Sequence, residues 1–165
     1  MTIQQLSFDA DPLIYNNVLV VNNTGVNQIY TVGVTLPTTF GSPSQIRGSI
    51  ATSVIGTSAT ISSVVPFSIY SAQIDGVTVR TLQDNPFSLS TPAGAASAVA
   101  SYGYEFNAVP VTSNFGILLR FQLTPGDSAS ILSDFEIIAV PEPSSFALVG
   151  LGLLGIVARA RRKSA

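Results

Sequence analysis

The stretch Ser68–Leu82, SIYSAQIDGVTVRTL, decides the fold class. Asp75-Gly76 sits between two runs of alternating apolar and polar residues, and a two-residue Asp-Gly loop accepts the positive φ angles of a type I′ turn. Phe67–Ile74 and Val77–Leu82 therefore read as the arms of a hairpin. Working outward, β-branched and aromatic residues keep a period of two over Ile3–Phe8, Leu13–Val21, Ile29–Leu36, Gln45–Val54, Ala59–Val65, Gly116–Leu123 and Ser130–Ile138. Asn22-Asn23-Thr24-Gly25, Asp84-Asn85-Pro86 and Pro125-Gly126-Asp127 supply turns between them. Residues 93–101, AGAASAVAS, show neither period nor a helix cap and are expected to form a flexible loop.

Short strands at this spacing, with no convincing helical period, predict an all-β domain over residues 1–139. The expected architecture is an antiparallel β-sandwich, jelly-roll or immunoglobulin-like, followed by one C-terminal transmembrane helix. The chain has 165 residues, 46% apolar and 10% charged, against about 25% charged in an ordinary soluble domain. It contains no Cys, His or Trp, which excludes Ser-His-Asp and Cys-His nucleophile systems, His or Cys metal centres and disulfides. A domain of this length buries about two-thirds of its surface and needs no disulfides to fold.

Charge is divided along the chain. Residues 1–143 hold three Arg and all nine acidic residues, a net of −6, whereas residues 144–165 hold four basic residues and no acid. The second segment opens with SSFALVGLGLLGIVA, apolar on every side. Phe146–Ala158 spans about 20 Å as a helix, shorter than a bilayer core of about 30 Å. Arg159, Arg161, Arg162 and Lys163 follow it directly, and their long side chains can snorkel and extend the span. Phe146, Leu148, Val149, Leu151, Leu153, Leu154, Ile156 and Val157 are thus the expected membrane-facing residues. The basic cluster is expected to stop transfer on the cytoplasmic side, leaving residues 1–143 outside. The GxGxxG at Gly150–Gly155 lacks the preceding strand and following acid of a dinucleotide site and reads as chance.

Val140-Pro141-Glu142-Pro143 stands directly before the apolar run, in an extended break that neither helix nor central strand can absorb. The order VPEP, short apolar helix, Arg-rich end closely resembles the PEP-CTERM sorting signal, over residues 140–165 with Pro141, Glu142 and Pro143 as the sorting motif. The resemblance implies an exported protein held in the bacterial inner membrane as a precursor. An exosortase-type processing enzyme would recognise it, cut it near the motif, and pass it to the cell surface or an exopolysaccharide matrix or biofilm. This chain would be the substrate and not the catalyst. Asn22-Asn23-Thr24-Gly25 with the IYTVGVTLP strand, and LTPGDS before the last strand, also look like an exported PEP-CTERM domain. MTIQQLSFDADPLIYNNVLVV offers no basic n-region and no unbroken apolar core, so Met1 is expected to be a misplaced start with an export signal upstream.

Candidates for chemistry are few. Asp9 and Asp11 share one side of a strand and could hold Ca²⁺ or do acid–base work, though an exposed strand edge made soluble by charge is the preferred reading. No other cofactor is expected. Asp134 and Glu136 repeat that spacing and are expected on a solvent face, with Ile131, Phe135 and Ile137 opposite. Either pair could serve a secreted hydrolase, which would need carboxyls facing each other across a cleft. Asp127 is expected to brace its own turn. Tyr15, Tyr30, Tyr70, Tyr102 and Tyr104 could stack on sugars, with Tyr102-Gly103-Tyr104-Glu105 the best local surface for a carbohydrate-binding protein. Asn22-Asn23-Thr24 is a formal glycosylation sequon. Three scattered arginines in an acidic domain disfavour nucleic acid as a partner.

Overall fold

The computed structural model describes residues 2–8, 12–39, 41 and 44–140. Asp9 and Asp11 lie outside the described residues, as do Pro141, Glu142 and Pro143, the apolar run Phe146–Ala158 and the basic cluster Arg159–Lys163. The described chain forms nine strands and no helix: β1 (Thr2–Phe8), β2 (Leu13–Val21), β3 (Gln28–Pro37), β4 (Ser44–Ser62), β5 (Tyr70–Ile74), β6 (Val77–Leu82), β7 (Ser88–Asn107), β8 (Asn114–Leu123) and β9 (Ser128–Ala139). Every pairing is antiparallel.

Hydrogen bonding runs in the order β1-β2-β9-β4-β8-β5-β6, with β3 added to β8 and β7 added to β4. The long strand β4 joins two layers. Its residues Ser44–Ile55 pair with β9, while Ile61 and Ser62 pair with Leu123 and Gln122 of β8. Between those regions Gly56 lies opposite Gly94 of β7, and Ser58 (φ 59°) and Gly94 (φ 84°) take positive φ. Glycine and a short polar residue tolerate that conformation, so both strands can turn the corner together.

The layers meet face to face. Strands β8 and β9 are not paired, yet the rings of Phe115 and Phe135 pack edge-on at 5.4 Å. Tyr70 of β5 donates from its hydroxyl to the Asp134 carbonyl of β9 at 2.9 Å. Alternation puts Ile14, Val18 and Val20 of β2, Ile46, Ile50 and Val54 of β4, Phe115–Leu123 alternates of β8, and Ile131, Phe135 and Ile137 of β9 into one buried core. Period-two burial is thus the device that holds the layers together.

The hairpin read from Ser68–Leu82 is β5–β6, and Asp75 (φ 49°) and Gly76 (φ 79°) have the positive φ pair of a type I′ turn. Its acid also ties the turn to β8. One Asp75 carboxylate oxygen accepts from Thr112 N and Oγ1 at 2.8 and 2.7 Å, and the other from Ser113 N and Asn114 N at 2.8 Å each. These donors, led by the Asn114 amide, hold the Asp75 carboxyl at about 2, well below its ordinary value.

Two expectations are corrected. Gln45–Val54 and Ala59–Ser62 are not separate strands but parts of β4, which passes through Gly56 unbroken, and the expected extension to Val65 is not strand. Residues 93–101 are not a loop but the middle of β7, paired with β4 from Ala93 opposite Thr57 to Ser101 opposite Ser49. Alanine and serine give little hydrophobic contrast between faces, so the alternation that betrays other strands is muted. The backbone ladder and the partial burial of Ala96 and Ala100 against the core hold it instead.

Candidate functional site

Cross-strand register assembles a cluster on the outward face of the β2, β9, β4, β7 layer. Tyr15, Asp134, Ser49 and Ser101 form one row across the four strands, and Leu13, Glu136 and Arg47 form the next. Between those rows the β4–β7 register shifts: Ile46 faces Glu105 and Gly48 faces Tyr102, so Arg47 alone lies opposite both Gly103 and Tyr104. Such a bulge re-aims side chains. It sends Tyr104 outward over Arg47, while Glu105 pairs with Arg80 of β6.

Gly48 is required here. A Cβ on it would lie 2.5 Å from the Tyr70 hydroxyl, 2.8 Å from the Tyr102 hydroxyl and 2.9 Å from the Asp134 carbonyl. The two phenols therefore occupy the space that any other residue would fill. Burial pushes Tyr102 up to about 12, against the opposing pull of the Tyr70 hydroxyl, and burial raises Tyr70 as well. Both remain neutral phenols wherever the protein is folded at ordinary pH, and neither can act as a base.

Above this floor is a depression of 440 Å³ lined by Leu13, Tyr15, Arg47, Ser49, Tyr102, Tyr104 and Asp134, with Gly48, Ser101 and Gly103. The Arg47 guanidinium stands 5.0 Å over the Tyr104 ring and is paired with Glu136. Its hydrogen bond to Glu136 raises its basicity, with burial opposing. Tyr104 donates to the same Glu136 oxygen at 3.2 Å, and burial followed by the Glu136 charge raises its own pKa. Asp134 accepts from the Ser49 hydroxyl.

The sequence-derived candidates separate on this geometry. Ile131, Phe135 and Ile137 do face the core, and Asp134 and Glu136 do face away from it. Glu136 is not on an open solvent face, however: it is 8% exposed, covered by Arg47 and Tyr104. The two carboxylates stand side by side on one strand and do not oppose each other across a cleft. Tyr15, Tyr102 and Tyr104 reach the depression, whereas Tyr30 stacks on Phe121 at 5.6 Å and Tyr70 is buried beneath.

The remaining candidates have structural partners. Asp127 is 4% exposed and accepts from Thr124 within its turn. Asn22 of the sequon is wholly buried and donates to the carbonyls of Val26 and Leu123, both at 2.9 Å, so it is not presented for modification. Among the described residues no group of three or more acids is placed to hold a metal ion. Arg47 and Ser49 were not among the sequence candidates. The available signal was weak: an arginine on a strand in a domain with three.

Residues 139–163 match the family described as the PEP-CTERM protein-sorting motif. No curated protein matches the chain. Among solved structures, dimeric latent PorU from Porphyromonas gingivalis is similar over 82% of this chain at 12% identity and a TM-score of 0.36, and the match spans 14% of that chain. The matched segment begins at Ala139, the last residue of β9, so the chain carries a PEP-CTERM protein-sorting motif directly after its all-β antiparallel domain.

Proposed function

We propose that this chain is a non-enzymatic exported protein. An exosortase-type enzyme recognises Pro141-Glu142-Pro143, cuts near that motif, and delivers the β domain to the cell surface or an exopolysaccharide matrix. Phe146–Ala158 anchors the precursor in the inner membrane, and Arg159, Arg161, Arg162 and Lys163 hold the end of the chain on the cytoplasmic side. The observation that carries this reading is the sorting-motif match at residues 139–163.

Where the motif begins supports the reading. The last strand, β9, is hydrogen-bonded on both sides, to β2 and β4, and ends at Ala139. A cut within β9 would open the centre of the layer. A cut beyond Val140 leaves every described strand whole.

The test is fractionation of host cells expressing the chain or its Pro141→Ala, Glu142→Ala, Pro143→Ala triple variant. The wild-type domain should leave the membrane fraction for the surface or medium, while the variant should accumulate in the membrane. Equal distribution of the two would refute recognition at this motif.

A further inference from the structure

We infer that the depression beside Tyr104 is a binding site for a neutral sugar ring of a polysaccharide chain. This rests on the reading that the domain works in an exopolysaccharide layer, but it is argued from the site itself. A volume of 440 Å³ lies within the roughly 300–1,000 Å³ of small-molecule sites and is open on the sheet surface rather than enclosed.

A pyranose is amphipathic, with C–H faces and a rim of hydroxyls. The site offers the same two surfaces. Tyr15, Tyr104 and Leu13 present apolar area, and tyrosine combines a flat ring with a polar tip. The Asp134 carboxylate beside Ser49 and Ser101 supplies acceptors and donors for hydroxyls. Tyr104 is held in place by its hydrogen bond to Glu136 and by the Arg47 guanidinium across its ring, so little ordering is needed when a ligand arrives.

Charge selects among sugars. Arg47 is the only cation among the described residues of the site, and it is already paired with Glu136, which leaves Asp134 with no cationic partner within ion-pair distance. A uronic acid or sulfated sugar would add a further negative charge where Asp134 and Glu136 already outnumber the one guanidinium. A neutral ring avoids that cost. The next row of the same face, Asn17, Leu132, Ala51 and Val99, carries no charge, so a neutral polymer can pass on along the sheet.

The experiment uses the full chain, purified in a zwitterionic detergent that carries no sugar headgroup. Retention is measured on a panel of immobilised neutral polysaccharides (glucans, mannans, galactans and xylans) and on polygalacturonate. At least one neutral polymer should be retained, with polygalacturonate bound at least about tenfold more weakly. Tyr104→Ala and, separately, Asp134→Asn should each weaken that retention by about tenfold at an unchanged melting temperature, while Tyr104→Phe should keep most of it. Retention of no neutral polymer, preference for polygalacturonate, or indifference to both Tyr104→Ala and Asp134→Asn would overturn the assignment. Sorting is read by the fractionation test, so loss of sugar binding with normal release from the membrane removes this inference alone.

Discussion

The two faces of the β2, β9, β4, β7 layer come from the same four strands and have opposite roles. Inward residues such as Ile14, Ile50, Ile131 and Phe135 are fully buried and close the core. Outward residues one step along the chain, Tyr15, Ser49 and Asp134, build the depression together with Tyr104 of β7. Because the side-chain period of a strand is two, stability and recognition can be encoded in alternate letters of one segment and altered almost separately.

Substitutions on the two faces should therefore part company. The largest effect is expected for Phe135→Ala, which removes a fully buried ring packed on Phe115 and should cost about 3–5 kcal/mol in denaturant unfolding. A loss below about 1 kcal/mol would mean that the layers do not meet at this ring. Gly48→Ala comes next. Its Cβ would press on a backbone carbonyl as well as two hydroxyls, and the overpacking should cost about 1–3 kcal/mol by the same measurement.

On the outward face, Arg47→Ala breaks a partly exposed ion pair and a contact with the Tyr104 ring, and should change stability by no more than about 1 kcal/mol. Its visible effect should be on retention by neutral polysaccharide, through a Tyr104 ring no longer held. Unfolding of Arg47→Ala as severe as that of Phe135→Ala would erase the distinction between faces. The smallest effect belongs to the β5–β6 turn. Asp75 is held at about 2 in the folded chain, below its ordinary 3.8, so its stabilisation is complete above about pH 4 and is lost as pH falls through about 2. Asp75→Asn should melt slightly below wild type at pH 7, and the gap should close between pH 4 and 2; a gap independent of pH would show that the charge contributes nothing.

What could be read in the sequence follows the range of the interactions involved. The Asp75-Gly76 hairpin and the sorting motif are written in contiguous residues, with turn chemistry in one case and a Pro-Glu-Pro, apolar, basic order in the other. The alternation of β2, β8 and β9 was equally plain because large aliphatics mark one face. Strand β7 was missed because alanine, glycine and serine mark neither face, and because its ladder partner is distant in the chain.

The depression was half legible. Tyr102, Tyr104 and the Asp134–Glu136 pair stood out, and their spacing put the acids on one side. Arg47 joins Glu136 across 89 positions of chain and Ser49 joins Asp134 across 85, so register and packing decide those meetings, not local propensity. The bulge that turns Tyr104 outward has no local signature beyond Gly103.

The central claim is that the domain and its export tag are separable, with the boundary just beyond β9. Intact-mass spectrometry of the wild-type protein recovered from the surface or medium of its native host tests it most directly. The expected mass is that of a chain whose carboxyl terminus lies at or near Pro141–Pro143 and which lacks Phe146–Lys163. Surface protein that still extends through Ala165 would contradict it.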